Sequence, residues 1–129
     1  MAKFKYSMQN ILEIKMKLET QAKNEFSIAN RKYQTEKDRL DELVLKRVGY
    51  ETRLKESLCG ELNISNINNL KKDINSIKSA IRTQLSNVKK AEDELEIKRY
   101  ALNELMKERK THEKLRDKKF DEFQKEERD

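Results

Sequence analysis

The sequence has no proline and no tryptophan, and only two glycines and one cysteine among its 129 residues. Turns in β-rich and loop-rich folds depend heavily on glycine and proline. Hydrophobic residues make up 35% of the chain, whereas a globular domain usually contains roughly 45–50%. These shortages exclude a compact β-rich domain and a loop-rich enzyme, and they leave a disordered chain or long helices.

Charged residues are abundant instead, at 42% of the chain, with 30 Lys+Arg, 24 Asp+Glu and a formal net charge of +6. The two signs alternate along most of the sequence. Residues 71–90 are the exception, because they contain six basic residues and only one acidic residue, Asp73. A solvated coiled-coil surface is the favoured interpretation of this stretch, and a docking patch for an acidic partner is the alternative.

The single cysteine and the N-terminal residues bear on the cellular compartment. Cys59 has no second cysteine with which to form an intramolecular disulfide, which fits a reducing compartment. The apolar pair Ile11 and Leu12 is followed at once by Glu13, so it is too short for a signal peptide or a membrane span. The sequence predicts a cytosolic protein.

Apolar residues recur at alternating steps of three and four, the period that places one stripe of a helix against a partner helix. A walk from Met8 to Leu58 meets twelve apolar residues at fifteen positions. It passes through Ile11, Leu18 and Ala22, and because it then steps four residues again it predicts a stutter that locally unwinds the supercoil.

A second walk starts at Ile67 and meets ten apolar residues at twelve positions up to Leu105. Beyond Leu105 the stripe weakens to Arg109, His112 and Arg116 before phenylalanines resume it. The last twenty or so residues are therefore predicted to be the least secure part of the coil.

Turn-forming residues are concentrated between the two walks. Gly60 suits the left-handed conformation of the residue that ends a helix, and Asn63 or Ser65 can cap the next helix.

Short connections join antiparallel helices. We therefore expect an all-α fold, a long antiparallel two-helix coiled coil about 80–90 Å long. A parallel dimer of one continuous helix is the alternative that this turn disfavours. The expected single domain is a hairpin over residues 1–129, with helix one at about 4–59, the turn at about 60–65 and helix two at about 66–127.

Folding back at this turn pairs residues whose numbers sum to about 125. Glu36 then meets Lys89, which forms a favourable polar pair. Lys15 meets Arg109 or Lys110, and these like charges repel. The terminal end of the hairpin is therefore expected to be looser than the turn end.

The sequence holds no recognisable catalytic, metal or cofactor site. His112 is the only histidine, so the sequence cannot form a metal site with several histidine ligands, and we recognise no catalytic nucleophile–histidine pair. Gly49 and Gly60 stand alone, which excludes a glycine-rich phosphate loop. The basic stretch also carries residues of the apolar stripe, which argues against a DNA-binding basic helix. We predict a protein that is not an enzyme, uses no cofactor and binds no nucleic acid.

The N-terminal segment follows the pattern Phe4-x-Tyr6-x-Met8-Gln9-x-x-Leu12-x-x-Lys15-x-x-x-Glu19-x-x-Ala22. This order resembles the start of the flagellar FliJ proteins, cytosolic components of the bacterial flagellar type III export apparatus. The stalk proteins of virulence type III secretion are a second resemblance, and a generic coiled-coil scaffold protein is a further alternative.

The resemblance implies a rod that inserts into the hexameric flagellar export ATPase, activates it, contacts the export-gate membrane protein and handles export chaperones. Such a protein is cytoplasmic and reaches the inner membrane only through its partners. The gate-binding positions of the family fall on Leu43, Tyr50, Ile77, Ala80 and Gln84. The periodicity places all of these except Ala80 on the seam between the helices, so core packing is the alternative role for those four.

The terminal tip is the second candidate site. Aromatic residues that two helices alone cannot bury often mark a partner site, and here they occur beside cations. We expect the tip to enter a ring with an acidic or apolar lining, while frayed ends are the alternative. The tip residues predicted to bind the ATPase are Phe4, Tyr6, Lys15, Arg109, Phe120 and Phe123.

Overall fold

A computed structural model describes residues 3–128 of the chain. Its two α-helices are Gln9–Ser57 (α1) and Ile64–Arg128 (α2), and the described residues contain no strand. The two helices pack against each other in opposite directions. The predicted all-α fold, an antiparallel two-helix hairpin, is therefore confirmed.

Contacts divide the chain into two units, each with a segment of both helices. The terminal unit combines Met1–Ala29 with Leu95–Asp129, and the turn unit is Asn30–Glu94. The seam is the set of positions at which the two helices face each other within a unit. It repeats at steps of three and four along both helices, as a coiled coil requires.

The turn between the helices has the predicted chemistry. Gly60 adopts a φ of +87°, the left-handed conformation that glycine takes without strain. The Asn63 side chain accepts a hydrogen bond of 3.1 Å from the backbone N–H of Asn66, so Asn63 caps α2, which begins at Ile64 rather than near residue 66. The amide of Asn66 also donates to the Ser57 hydroxyl at 3.4 Å.

The seam of the turn unit is mainly aliphatic. Isoleucine and leucine side chains of α2 are buried against half-buried residues of α1, and the one buried polar residue among them is Gln84. Because burial of such side chains is the main favourable contribution to folding, this seam accounts for the pairing of the helices here. The buried hydrophobic residues of α2 in this unit are Ile67, Leu70, Ile74, Ile77, Ile81 and Ala91.

The first part of α1 buries different residues from those predicted. Leu12 and Glu19 are buried, whereas Ile11 and Leu18 are each 43% exposed. The seam from Leu12 to Ala22 therefore keeps a regular alternation of three and four, and the predicted stutter is wrong. The sequence pattern favoured Leu18 over Glu19 because it could not show that Glu19 meets a cation on α2.

The predicted repulsion at Lys15 is also wrong. Lys15 Nζ lies 2.8 Å from a carboxylate oxygen of Glu108, one residue away from the expected Arg109. Arg109 in turn contacts Glu19. Because acidic and basic residues alternate along both helices, Lys15 and Arg109 each contact a carboxylate on the facing helix. In the turn unit, Glu36 pairs with Gln84 instead of Lys89.

Candidate partner-binding surfaces

Three phenylalanine rings form a cluster in the terminal unit. The centroids of Phe4 and Phe120 are 5.1 Å apart with the rings inclined at 71°, an edge-to-face arrangement. The Phe4 and Phe123 rings lie 5.6 Å apart at 51°. Such pairs are favourable beyond the area they bury, yet Phe120 remains 40% exposed. The cluster is therefore both an internal contact and an accessible apolar surface.

The N-terminal segment reaches this cluster because it is not helical. Helix α1 begins at Gln9 rather than near residue 4, and Lys3–Tyr6 have no regular secondary structure. The Gln9 N–H donates to the Tyr6 carbonyl at 3.0 Å, which closes the turn that leads into the helix. This non-helical segment places Phe4 against Phe120 and Phe123 of the facing helix.

A groove beside the cluster combines aromatic and basic groups. Its volume is about 430 Å³, and its walls are Phe4, Lys5, Tyr6, Gln9 and Arg116. The Tyr6 hydroxyl is buried and makes no hydrogen bond with any residue in the described part of the chain. A buried hydroxyl without a partner is uncommon, so Tyr6 is an unsatisfied polar residue in the wall of a groove that also presents apolar and cationic groups.

Arg109 joins the two helices deeper in the terminal unit. Its Nε donates to Glu19, whose side chain is only 5% exposed, and its Nη1 lies 3.0 Å from Glu113. The hydrogen bond that Arg109 donates to Glu19, followed by the one it donates to Glu113, raises the pKa of Arg109 above its ordinary value. The Arg109 charge is therefore used within the fold, as is that of Lys15 in its pair with Glu108. Neither cation is a free surface charge.

The structure separates the proposed gate-binding residues by exposure. Ile77 and Gln84 are buried in the seam of the turn unit. Leu43, Tyr50 and Ala80 are half-buried and keep an accessible edge. Only the last three can therefore present a side chain to a partner without rearrangement of the helices.

Gln84 is held in a polar network that sequence reasoning missed. Its side-chain amide donates to the Glu36 backbone carbonyl at 2.8 Å and also to the Glu36 carboxylate. Asn87 donates to the Gln84 carbonyl oxygen at 3.2 Å. A satisfied polar residue in an apolar seam fixes the register of a coiled coil. The sequence signal was that Glu36 and Gln84 are both polar residues at seam positions, although the predicted register placed Glu36 opposite Lys89.

Residues 3–128 contain no cluster of metal ligands and no helix that could span a membrane, and their one cysteine is exposed. No group of three or more His, Cys, Asp or Glu side chains is arranged to hold a metal ion in this range. None of the described helices is long and apolar enough to cross a membrane. Cys59 is exposed, and His112 is half-buried with its Nδ1 lacking a partner among these residues.

Comparison with known protein families identifies a match over nearly all of the chain. The family model described as "Flagellar FliJ protein" matches residues 4–129, essentially the whole chain. This confirms the resemblance drawn from the N-terminal segment. Comparison with curated proteins and comparison with solved structures each find no match.

Proposed function

Because this chain belongs to the FliJ family, a component of the flagellar export apparatus, we propose that it is a non-enzymatic stalk that activates the hexameric export ATPase. In this proposal the terminal unit enters the ring. The observation that carries it is the cluster of Phe4, Phe120 and Phe123, whose rings remain partly accessible beside Lys5 and Arg116. An apolar surface with a basic border fits a ring lining that is apolar or acidic.

The experiment compares stimulation of the purified flagellar export ATPase by variants of this chain. We expect Phe4→Ser combined with Phe120→Ser to lower the stimulation to less than about half, because central aromatic anchors dominate most interfaces. The matched control is Leu62→Ser combined with Ile64→Ser, since both residues are exposed and apolar but lie at the turn. Circular dichroism checks that both variants keep their helices.

Two outcomes contradict the ATPase proposal. Full stimulation by a folded Phe4→Ser, Phe120→Ser protein would remove the cluster from the mechanism. Equal losses in the two variants would mean that exposed apolar groups act without regard to position. Removal of residues 1–7 and 117–129 gives a more severe version of the same test.

We also propose that the turn unit contacts the export-gate membrane protein through Leu43, Tyr50 and Ala80. The family resemblance supplies this assignment, and the half-burial of the three side chains supports it. Ile77 and Gln84 then hold the helices in register beneath that surface. We expect Ala80→Arg to abolish capture of the gate protein's soluble domain, while Leu45→Arg, at a position that is 71% exposed, leaves capture unchanged. Equal capture by both would contradict the assignment.

The family resemblance further implies binding of export chaperones and a cytoplasmic location at the inner membrane, and we include both in the proposal. Binding of nucleic acid is not part of it. The two signs of charge are interleaved on the helices, and ion pairs of opposite sign recur along both. Polyanion binding instead needs a continuous surface of one sign.

A further inference from the structure

One side of the turn unit carries cations that form no ion pair with any residue of the described chain. Lys71 and Lys78 each follow a seam residue of α2, and they are seven residues apart. Arg82 also follows a seam residue, four positions after Lys78. Residues that follow seam positions lie on one side of a helix, so these three charges form a line. None of them has a carboxylate within 4.0 Å among residues 3–128.

Residues of α1 that follow its own seam positions lie on this same side, because the helices are antiparallel. Glu51 on α1 agrees with this placement. Its pKa is lowered from the ordinary value by a hydrogen bond from Arg47 and, to a smaller extent, by the charge of Lys78 on the facing helix. Glu51 is already paired with Arg47, at 2.9 Å. Asp41 and Glu92 also follow seam positions of this unit, and neither lies within 4.0 Å of a cation of the line among residues 3–128. The three cations are therefore left without an ion pair.

Apolar side chains accompany these cations. Val44 and Val48 of α1 and Leu85 of α2 all follow seam positions, and about half of each is exposed. Aliphatic side chains exposed together beside unpaired charges are typical of a partner site rather than of a solvated face. We name this surface the basic flank: Val44, Val48, Lys71, Lys78, Arg82 and Leu85.

The opposite side of the turn unit differs in charge. The residues that precede seam positions there include five cations and four carboxylates, so their charges nearly cancel. Ala80, one of the proposed gate-binding residues, lies on that side. The basic flank is therefore a separate surface. The cations of the opposite side are Lys32, Arg39, Lys46, Arg53 and Lys90, and its carboxylates are Glu42, Glu56, Asp73 and Glu94.

We propose that the basic flank binds an acidic amphipathic helix of a partner protein. That helix packs along α1 and α2 as the third helix of a local coiled coil. Lys71 and Lys78 are one heptad apart, so a helix with carboxylates at heptad spacing can meet both. Val44, Val48 and Leu85 provide the apolar contact. A nucleic acid would use the cations but not the aliphatic side chains, which is why a protein helix fits this surface better.

The test uses a fluorescein-labelled helical peptide of roughly three heptads, with glutamates at heptad spacing and leucines three and four residues apart. Fluorescence anisotropy at about 0.15 M NaCl measures its binding to the full chain. We expect Lys71→Glu, Lys78→Glu and Arg82→Glu together to weaken binding about tenfold or more, because like charges at an interface repel. Replacing the peptide leucines by glutamine should also weaken binding clearly.

The matched control is Lys46→Glu, Arg53→Glu and Lys90→Glu, which makes the same change in net charge on the opposite side of the same unit. These three cations also lack a carboxylate within 4.0 Å among the described residues. We expect binding to change less than about twofold in this variant. A second pair compares Val48→Ser and Leu85→Ser together with Leu45→Ser, and only the first should weaken binding.

Four outcomes would overturn the proposal. The peptide could fail to bind, or both charge variants could weaken it equally, which would indicate a general effect of net charge. A duplex DNA of equal charge could bind as tightly as the peptide, which would indicate a polyanion site. Light scattering could show a dimer that only the Lys71, Lys78 and Arg82 variant dissociates, which would indicate that a second copy of the chain occupies the flank. None of these outcomes depends on the export ATPase.

Discussion

In the turn unit, the second helix buries a row of isoleucine and leucine side chains, with Gln84 as the polar exception. In the terminal unit, seam positions of the same helix are occupied by Lys98, Arg109, His112 and Arg116, which are half-buried. The first seam is aliphatic apart from Gln84, whereas the second combines buried apolar residues such as Leu12 and Leu95 with charge pairs across the helices. The comparison shows that a coiled-coil period can be maintained by either kind of contact, with different sensitivity to solvent.

The two kinds of seam also differ in specificity. Aliphatic residues tolerate a shift in register if their volume is kept, so the turn unit needs the Gln84 network with Glu36 to define one alignment. In the terminal unit, Arg109 and Lys15 each select a carboxylate at one position on the facing helix. Ion pairs there provide the alignment that the apolar residues of the turn unit do not.

The largest expected effect concerns the aliphatic seam. Replacing Ile81 by alanine should lower the free energy of unfolding by about 2–3 kcal/mol, because it removes a buried side chain and leaves a cavity. Leu105→Ala, at a half-buried seam position of the terminal unit, should cost about 1 kcal/mol. Urea unfolding followed by circular dichroism measures both. A cost for Leu105→Ala equal to that of Ile81→Ala would erase the distinction between the units.

The next effect concerns the charged seam. Arg109→Leu should lower the midpoint of thermal unfolding by about 5 °C, because it leaves the Glu19 carboxylate buried without its main partner. Adding Glu19→Leu should restore the midpoint, since two apolar side chains can replace a buried ion pair. Failure of the double variant to recover would mean that the pair itself, and not the unpaired carboxylate, determines stability here.

The smallest effect concerns an exposed pair in the turn unit. The hydrogen bond from Arg47 lowers the pKa of Glu51 from its ordinary value of 4.5. The pair therefore stabilises the fold above about pH 4.5, and this contribution is lost as the pH falls through the lower pKa of the folded state. Arg47→Ala should return the Glu51 pKa toward its ordinary value in an NMR titration. The thermal midpoint at pH 7 should move by no more than roughly one degree, because exposed pairs contribute little.

Sequence reasoning predicted the hairpin and most of the seam because these follow from period and turn chemistry. The stripe from Ile67 to Leu105 and the caps at Gly60 and Asn63 are found where expected. The phase of α1 ahead of Ala22 was wrong because a pattern of apolar residues cannot recognise that a buried glutamate has an arginine partner more than eighty positions away.

The candidate sites were predicted less completely. The aromatic tip residues were identified, and the rings of Phe4, Phe120 and Phe123 do lie together. Their arrangement depends on a non-helical segment ahead of α1, whereas the sequence predicted a helix from about residue 4. The roles of Lys15 and Arg109 as internal partners depend on a register accurate to one residue, which the alternation of signs along α2 does not define.

The aromatic cluster also constrains the order in which the molecule can assemble during synthesis. Ser57 and Asn66 touch across a short loop, so the turn unit can begin to close while the ribosome is still translating the second helix. Phe4 has no partner until Phe120 and Phe123 emerge, near the end of the described chain. The surface proposed for the ATPase therefore forms after the turn unit has closed, because a nascent chain must first release Phe120 and Phe123 of α2.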